Sequence, residues 1–164
     1  MAKAAKTAQL QVRVTAAEKD AIQRAAARAG MDMSSYLLSR VLSVPAREFQ
    51  DAAAACAGDR TRFALAQLNT LLSALSAGEL REAVADAPTV SMSPFTANTI
   101  AAMVELKCAQ LGVALPRWTR EVEPLAEPAF GSTLLNLRLH LLKSSRAPFR
   151  RRNLFVDASL GDQI

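Results

Sequence analysis

Residues 9–14 read QLQVRV, so that Gln9, Gln11 and Arg13 alternate with Leu10, Val12 and Val14. A glutamine amide offers a donor and an acceptor side by side and can pair with adenine through both. An arginine fork can do the same with guanine. Period-two alternation puts the three polar chains on one face of a strand and the three apolar chains on the other. The chemistry open to such a face is the reading of base edges, because a two-stranded antiparallel ribbon fits the major groove of B-DNA. One strand alone is not enough. It needs a second.

Ser34 and Ser35 form another candidate site. Ser34 is expected to N-cap a helix, whose free amides and hydroxyls would then clamp a phosphate. Near the C-terminus Arg146, Arg150, Arg151 and Arg152 cluster with Phe149 and Phe155. Such guanidiniums can grip a nucleic-acid backbone or an acidic partner surface. The plainer alternative is a solvated turn whose phenylalanines anchor the chain end. Catalytic chemistry finds little footing. His140 is the only histidine and lies among leucines in LRLHLL, where an imidazole is ordinarily a rim or core residue. No Ser–His, Cys–His or histidine-rich metal arrangement is recognisable, and none of the six glycines has a phosphate-loop spacing. Glu121 and Glu123 read as surface, and Trp118 and Phe130 as core anchors or a partner-facing patch. No enzymatic activity, metal or cofactor is expected.

The elements that must position these residues are legible around them. After the strand, Thr15 and Glu18 have capping-box spacing. A helix is expected from about residue 16 to 29, with Ala21, Ile22, Ala25 and Ala29 on one face. Gly30 suits the left-handed residue after its end. A second helix, about 35–43, has Leu37, Leu38, Val41 and Leu42 as its buried stripe. A strand and two helices in so few residues bury little, and the strand has no mate within the unit. Both deficits vanish if two copies pair strand to strand. Leu10, Val12 and Val14 would then face the helices, and the Gln–Gln–Arg faces would point outward. A homodimer follows.

Helices are expected downstream at 46–57, 59–76 and about 78–86, and a linker at about 86–94. Ser93 and Pro94 mark the start of a helix over about 95–111, which Gly112 ends. A proline-punctuated stretch with Trp118, a leucine-rich helix at about 132–144 and a short strand at 153–156 complete the chain. The overall class is mainly α. We divide it into a flexible basic arm (1–8), the strand–helix–helix unit (9–44), a helical spacer (45–92) and a C-terminal helical partner-binding region (93–164).

Composition agrees. Of 164 residues 51% are apolar but only 5% aromatic, which favours closely packed helices over a large aromatic core. Residues 1–44 carry seven basic and three acidic chains, and the remainder thirteen and twelve. The basic excess of the head suits a polyanion. Cys56 and Cys108 suggest neither a disulfide framework nor a zinc site, so a cytoplasmic location is expected. No apolar run approaches a membrane span, and MAKAAKTAQ lacks a signal core.

Residues 9–44, with strand, capping box, glycine turn and second cap in register, resemble the ribbon-helix-helix family of Arc, MetJ and CopG-like regulators. The wording QLQVRVTAAEKDAIQRAAARAGMDMSSYLLSRVL is most similar to ribbon-helix-helix antitoxins that accompany acetyltransferase toxins. The resemblance implies that Gln9, Gln11 and Arg13 read bases in a palindromic double-stranded operator. It also implies that Ser34 and Ser35 contact phosphates. The function so expected is that of an autoregulating antitoxin and repressor, binding a cognate toxin through its C-terminal region. The alternative is a stand-alone repressor whose C-terminal half oligomerises or senses a ligand.

Overall fold

The computed structural model describes residues 11–41, 43–132 and 134–157. The chain divides into two compact units, with the boundary between Val41 and Leu42. Helices dominate both, as the composition requires.

The first unit holds α1 (Ala16–Arg28) and α2 (Met33–Val41). Helix α1 starts on the expected capping box. Its end is a Schellman turn: the Gly30 amide donates to Ala27 O at 3.1 Å and the Met31 amide to Ala26 O at 3.0 Å, with Gly30 at φ 65°. Ala26 is buried and Ile22 and Ala25 are half-buried, whereas Ala21 and Ala29 of the expected face are exposed. Gln11–Thr15 are described without strand pairing, and Gln9, Leu10 and the arm lie outside the described residues.

The second unit is built around α6 (Pro94–Leu111), whose bounds and caps match the expectation: Ser93 caps it and Gly112 ends it at φ 65°. It is buried on nearly every side, from Thr96 through Val104. Helices α3 (Val44–Ala55), α4 (Thr61–Ala74) and α5 (Ala77–Ala83) pack with it around Phe49, Leu68, Leu72, Leu80, Val84 and Ile100. Residues 45–92 therefore share one core with the C-terminal region and do not form a spacer. The loop after α5 is pinned to α3 by Gln50, whose Nε2 donates to Ala87 O at 3.0 Å and whose Oε1 accepts from the Thr89 amide at 3.0 Å.

Beyond α6 the fold departs in part from expectation, although the short strand expected at 153–156 is present as Leu154–Phe155. The Trp118 stretch contains a short helix, α7 (Arg117–Glu121), and the indole donates to Val84 O at 2.9 Å. Strand β1 (Ala129–Phe130) pairs in parallel with β2 (Leu154–Phe155), Ala129 opposite Leu154 and Phe130 opposite Phe155. The leucine-rich helix is shorter than expected: a 3-10 turn at Leu135–Leu137 leads into α8 (Arg138–Ser144), and α9 (Ala147–Arg150) follows.

Arg152 ties these late elements together. It is 5% exposed, so it is not a surface contact for nucleic acid or a partner. One guanidinium nitrogen donates to Asn98 Oδ1 and Val122 O, both at 3.2 Å. The other donates to Glu105 Oε1 at 2.6 Å and to Thr119 O at 2.5 Å. Asn98 in turn donates to Pro94 O at 3.0 Å and Glu123 O at 2.9 Å. Helices α6 and α7, the loop after α7 and the α9–β2 turn thus converge on one cation.

Burial pushes the Cys56 thiol up to about 11, and burial followed by the Glu105 carboxylate raises Cys108. The folded state holds these protons more tightly than the unfolded chain. The associated stability is therefore complete below the ordinary thiol range and is lost as pH climbs through the raised folded values, about 11 for Cys56. Near pH 8 both thiols should react with a disulfide reagent far more slowly in native than in denatured protein. Equal rates would contradict their burial. Replacing Arg152 by alanine strands the Glu105 carboxylate, and should cost about 3–5 kcal/mol in urea denaturation. An unchanged urea midpoint would show that the cation does not hold the unit together.

Candidate nucleic-acid interface

The face proposed from sequence lies just ahead of α1. Gln11 and Arg13 are exposed, and Gln9 is outside the described residues. What positions this segment is the box at the helix start. The Thr15 amide and hydroxyl both donate to Glu18 Oε2 at 2.8 Å, and the Glu18 amide donates to Thr15 Oγ1 at 3.3 Å. The carboxylate satisfies the amide immediately after the QVRV segment, so the chain leaves the helix in an extended conformation, with Thr15 at ψ 161°. Those hydrogen bonds hold the Glu18 carboxyl below the usual carboxylate range.

The apolar side of the same unit is open. Val12 is 64% exposed and Val41 78%, with Val14, Leu37 and Leu38 exposed as well. Among the described residues of this unit Ala26 alone is buried. The stripe expected to be buried on α2 is thus uncovered within one copy, and Leu42 lies outside the described residues. These are the residues the paired arrangement would cover.

Helix α2 begins differently from the expectation. Its cap is Asp32, not Ser34: the carboxylate accepts from the Ser35 amide at 3.0 Å and from the Ser35 hydroxyl at 2.5 Å. A charged acceptor placed just before the helix, at the positive end of its dipole, competes better than the Ser34 hydroxyl two residues on, so the helix starts at Met33. Both Ser35 donors, expected to contact a phosphate, are therefore engaged by the Asp32 carboxylate. Ser34 is exposed in the first turn. The Asp32 signal was present in the sequence, as an acid three residues before a serine.

The remaining candidates separate. Arg152 is buried, while Arg146, Arg150 and Arg151 are exposed. His140 is at the surface, its Nε2 3.8 Å from Asp157 Oδ2. No group of three metal-ligating side chains occurs among the described residues.

Protonating Glu18 removes the acceptor for the Thr15 amide. Its contribution is complete above the unfolded glutamate range and is lost as pH falls through the lowered folded value. The Thr15 amide resonance should titrate below the ordinary glutamate range in the native protein and stay flat in Glu18→Gln. Thr15→Ala should lower the stability of the first unit by about 1 kcal/mol. A titration of that resonance at the ordinary range would mean that the box does not form.

Residues 4–76 match the model of a family described as NikA-like, Mobilization protein NikA. The match covers less than half of the chain and runs from the head through α3 and α4. No curated protein matches, and no solved structure matches. The family match supports a ribbon-helix-helix, DNA-binding character for the N-terminal region, and it carries no indication of a toxin.

Proposed function

We propose that the chain is a DNA-binding accessory protein of plasmid mobilization, acting by binding and not by catalysis, in the cytoplasm beside its DNA. Two copies pair through their first strands. Gln9, Gln11 and Arg13 of each read base edges in the major groove of a roughly palindromic site. Ser34 is available to a backbone phosphate, and Ser35 joins it only if Asp32 rotates away. The observation that carries the reading is the match of residues 4–76 to a mobilization-protein family. The exposed apolar face formed by Val12, Val14, Leu37, Leu38 and Val41 supports the pairing.

The finer expectation, an antitoxin that neutralises a toxin through its C-terminal region, rests on the wording of residues 9–42 and makes a different demand. An antitoxin rescues cells from a neighbouring gene product that is lethal alone. A mobilization accessory leaves growth untouched, and its loss lowers the frequency of DNA transfer.

Full-length protein should shift duplex DNA from the transfer origin of its own replicon at low salt, as a dimer. Arg13→Ala should weaken that binding by about 1–3 kcal/mol and relax preference at one base pair per half-site. An unaltered affinity of Arg13→Ala would remove the strand from the interface. Deleting the gene should reduce transfer without affecting growth. A growth defect rescued only by removal of the neighbouring gene would establish the antitoxin instead.

A further inference from the structure

Between Leu134 and Leu142 five leucines are exposed, including Leu135 at 71% and Leu139 at 72%. A helix needs one apolar stripe to dock on its own fold. In α8 that stripe is supplied by Leu141, which is buried, followed by Ser145, whose hydroxyl lies 2.7 Å from Val156 O. The other leucines are surplus to folding. Leu135, Leu139 and Leu142 follow one another at intervals of four and three residues, which brings them to one side of the helix and its leading turn. That is the spacing at which helices seat against one another.

The surrounding charge selects the occupant. From Pro128 to Val156 there is no aspartate or glutamate, while the exposed Arg138, Lys143, Arg150 and Arg151 are basic. The guanidinium of Arg138 lies 4.9 Å from the Phe130 ring centroid, which holds that cation beside the leucines. The first acid, Asp157, is drawn toward His140. A second copy of this helix would set Arg138 and Lys143 against a matching pair of cations, and like charges at that range repel. A helix carrying apolar anchors flanked by carboxylates meets both the leucines and the cations. A bilayer rewards buried area, of which three side chains offer little.

We propose that Leu135, Leu139 and Leu142 form a docking stripe for an acidic amphipathic helix of another protein. This surface belongs to the second unit and does not depend on how the head reads DNA.

The test uses full-length protein and two labelled helical peptides of about 20 residues. Both carry leucines at the i, i+3, i+4, i+7 positions, one with glutamates flanking them and one with lysines. Fluorescence anisotropy should show saturable binding of the glutamate peptide and none of the lysine peptide. Leu139→Gln, and separately Leu135→Gln with Leu142→Gln, should weaken binding about tenfold or more. These side chains are exposed, so melting temperature and DNA shift should be unchanged, which separates failure here from failure of the DNA-binding reading. Equal binding of both peptides, or retention of affinity in the glutamine variants, would overturn the proposal. It would also be overturned if Leu139→Gln lowered the oligomeric mass in sedimentation, which would identify a second copy as the occupant. Leucine-dependent flotation with phosphatidylglycerol vesicles, in the absence of peptide binding, would equally overturn it by identifying a lipid surface.

Discussion

The second unit depends on how the two terminal nitrogens of a single guanidinium are engaged. Arg152 takes a charge into the interior, and a buried cation costs several kcal/mol unless it is paired and hydrogen-bonded. Glu105 supplies the counter-charge from α6, and Asn98 supplies an oxygen from one end of the same helix. Thr119 and Val122 contribute carbonyls from α7 and the turn after it. These carbonyls belong to a stretch with little regular structure, where backbone groups would otherwise want water. The arginine therefore does more than close a pair. It sets where the proline-rich segment after α6 lies, and its own backbone carbonyl accepts from Leu125. Asn153, at φ 55°, then turns the chain into β2, with its side-chain amide on Leu125 O. The two-residue parallel ladder is too short to be a cause of this arrangement. It is a result.

The first unit is constrained in the opposite way. Among its described residues there is no buried charge and almost no buried apolar surface, so little within one copy specifies their structure beyond local hydrogen bonds. Those local bonds are nonetheless complete at three of its helix ends: the Thr15–Glu18 box, the Schellman turn at Gly30 and the Asp32 cap. A unit with well-capped helices and an open apolar face is suited to acquire its core from a second copy. In the proposed dimer its apolar residues would serve association, and Gln11 and Arg13 recognition.

The same contrast explains what could be read in the sequence. Caps and turns act over three or four residues, so Thr15, Gly30, Ser93 and Gly112 marked their helices correctly. The Asp32 cap was missed because two serines following it offered an equally local alternative. The role of Arg152 could not be read at all. Its partners Asn98, Glu105, Thr119 and Val122 lie some thirty or more residues away. In sequence it is one of four similar arginines, and only the packing of α6 against the chain end distinguishes it from Arg151. Likewise 45–92 reads in sequence only as a run of short helices. That their apolar sides meet α6 is a tertiary fact. The leucine-rich segment marked its helix, but its composition did not say that of the leucines of α8 only Leu141 is buried.

That surplus of leucine bears on how the two units act together. If the head pairs across two chains as proposed, it duplicates whatever the second unit offers, and each DNA-bound dimer would carry two α8 stripes. A partner with two acidic helices would then bind the second stripe at an effective concentration set by the tether and not by bulk solution. Occupancy of DNA and of the stripes need not be coupled through any change of shape. On that proposal, binding to DNA would favour the paired state, pairing would favour bivalent docking, and by linkage docking would favour the paired, DNA-competent state in equal measure. A monovalent partner would break that circuit while leaving each separate contact intact. The arrangement therefore requires only that the first unit be unable to complete its core alone, which its exposed valines and leucines already imply.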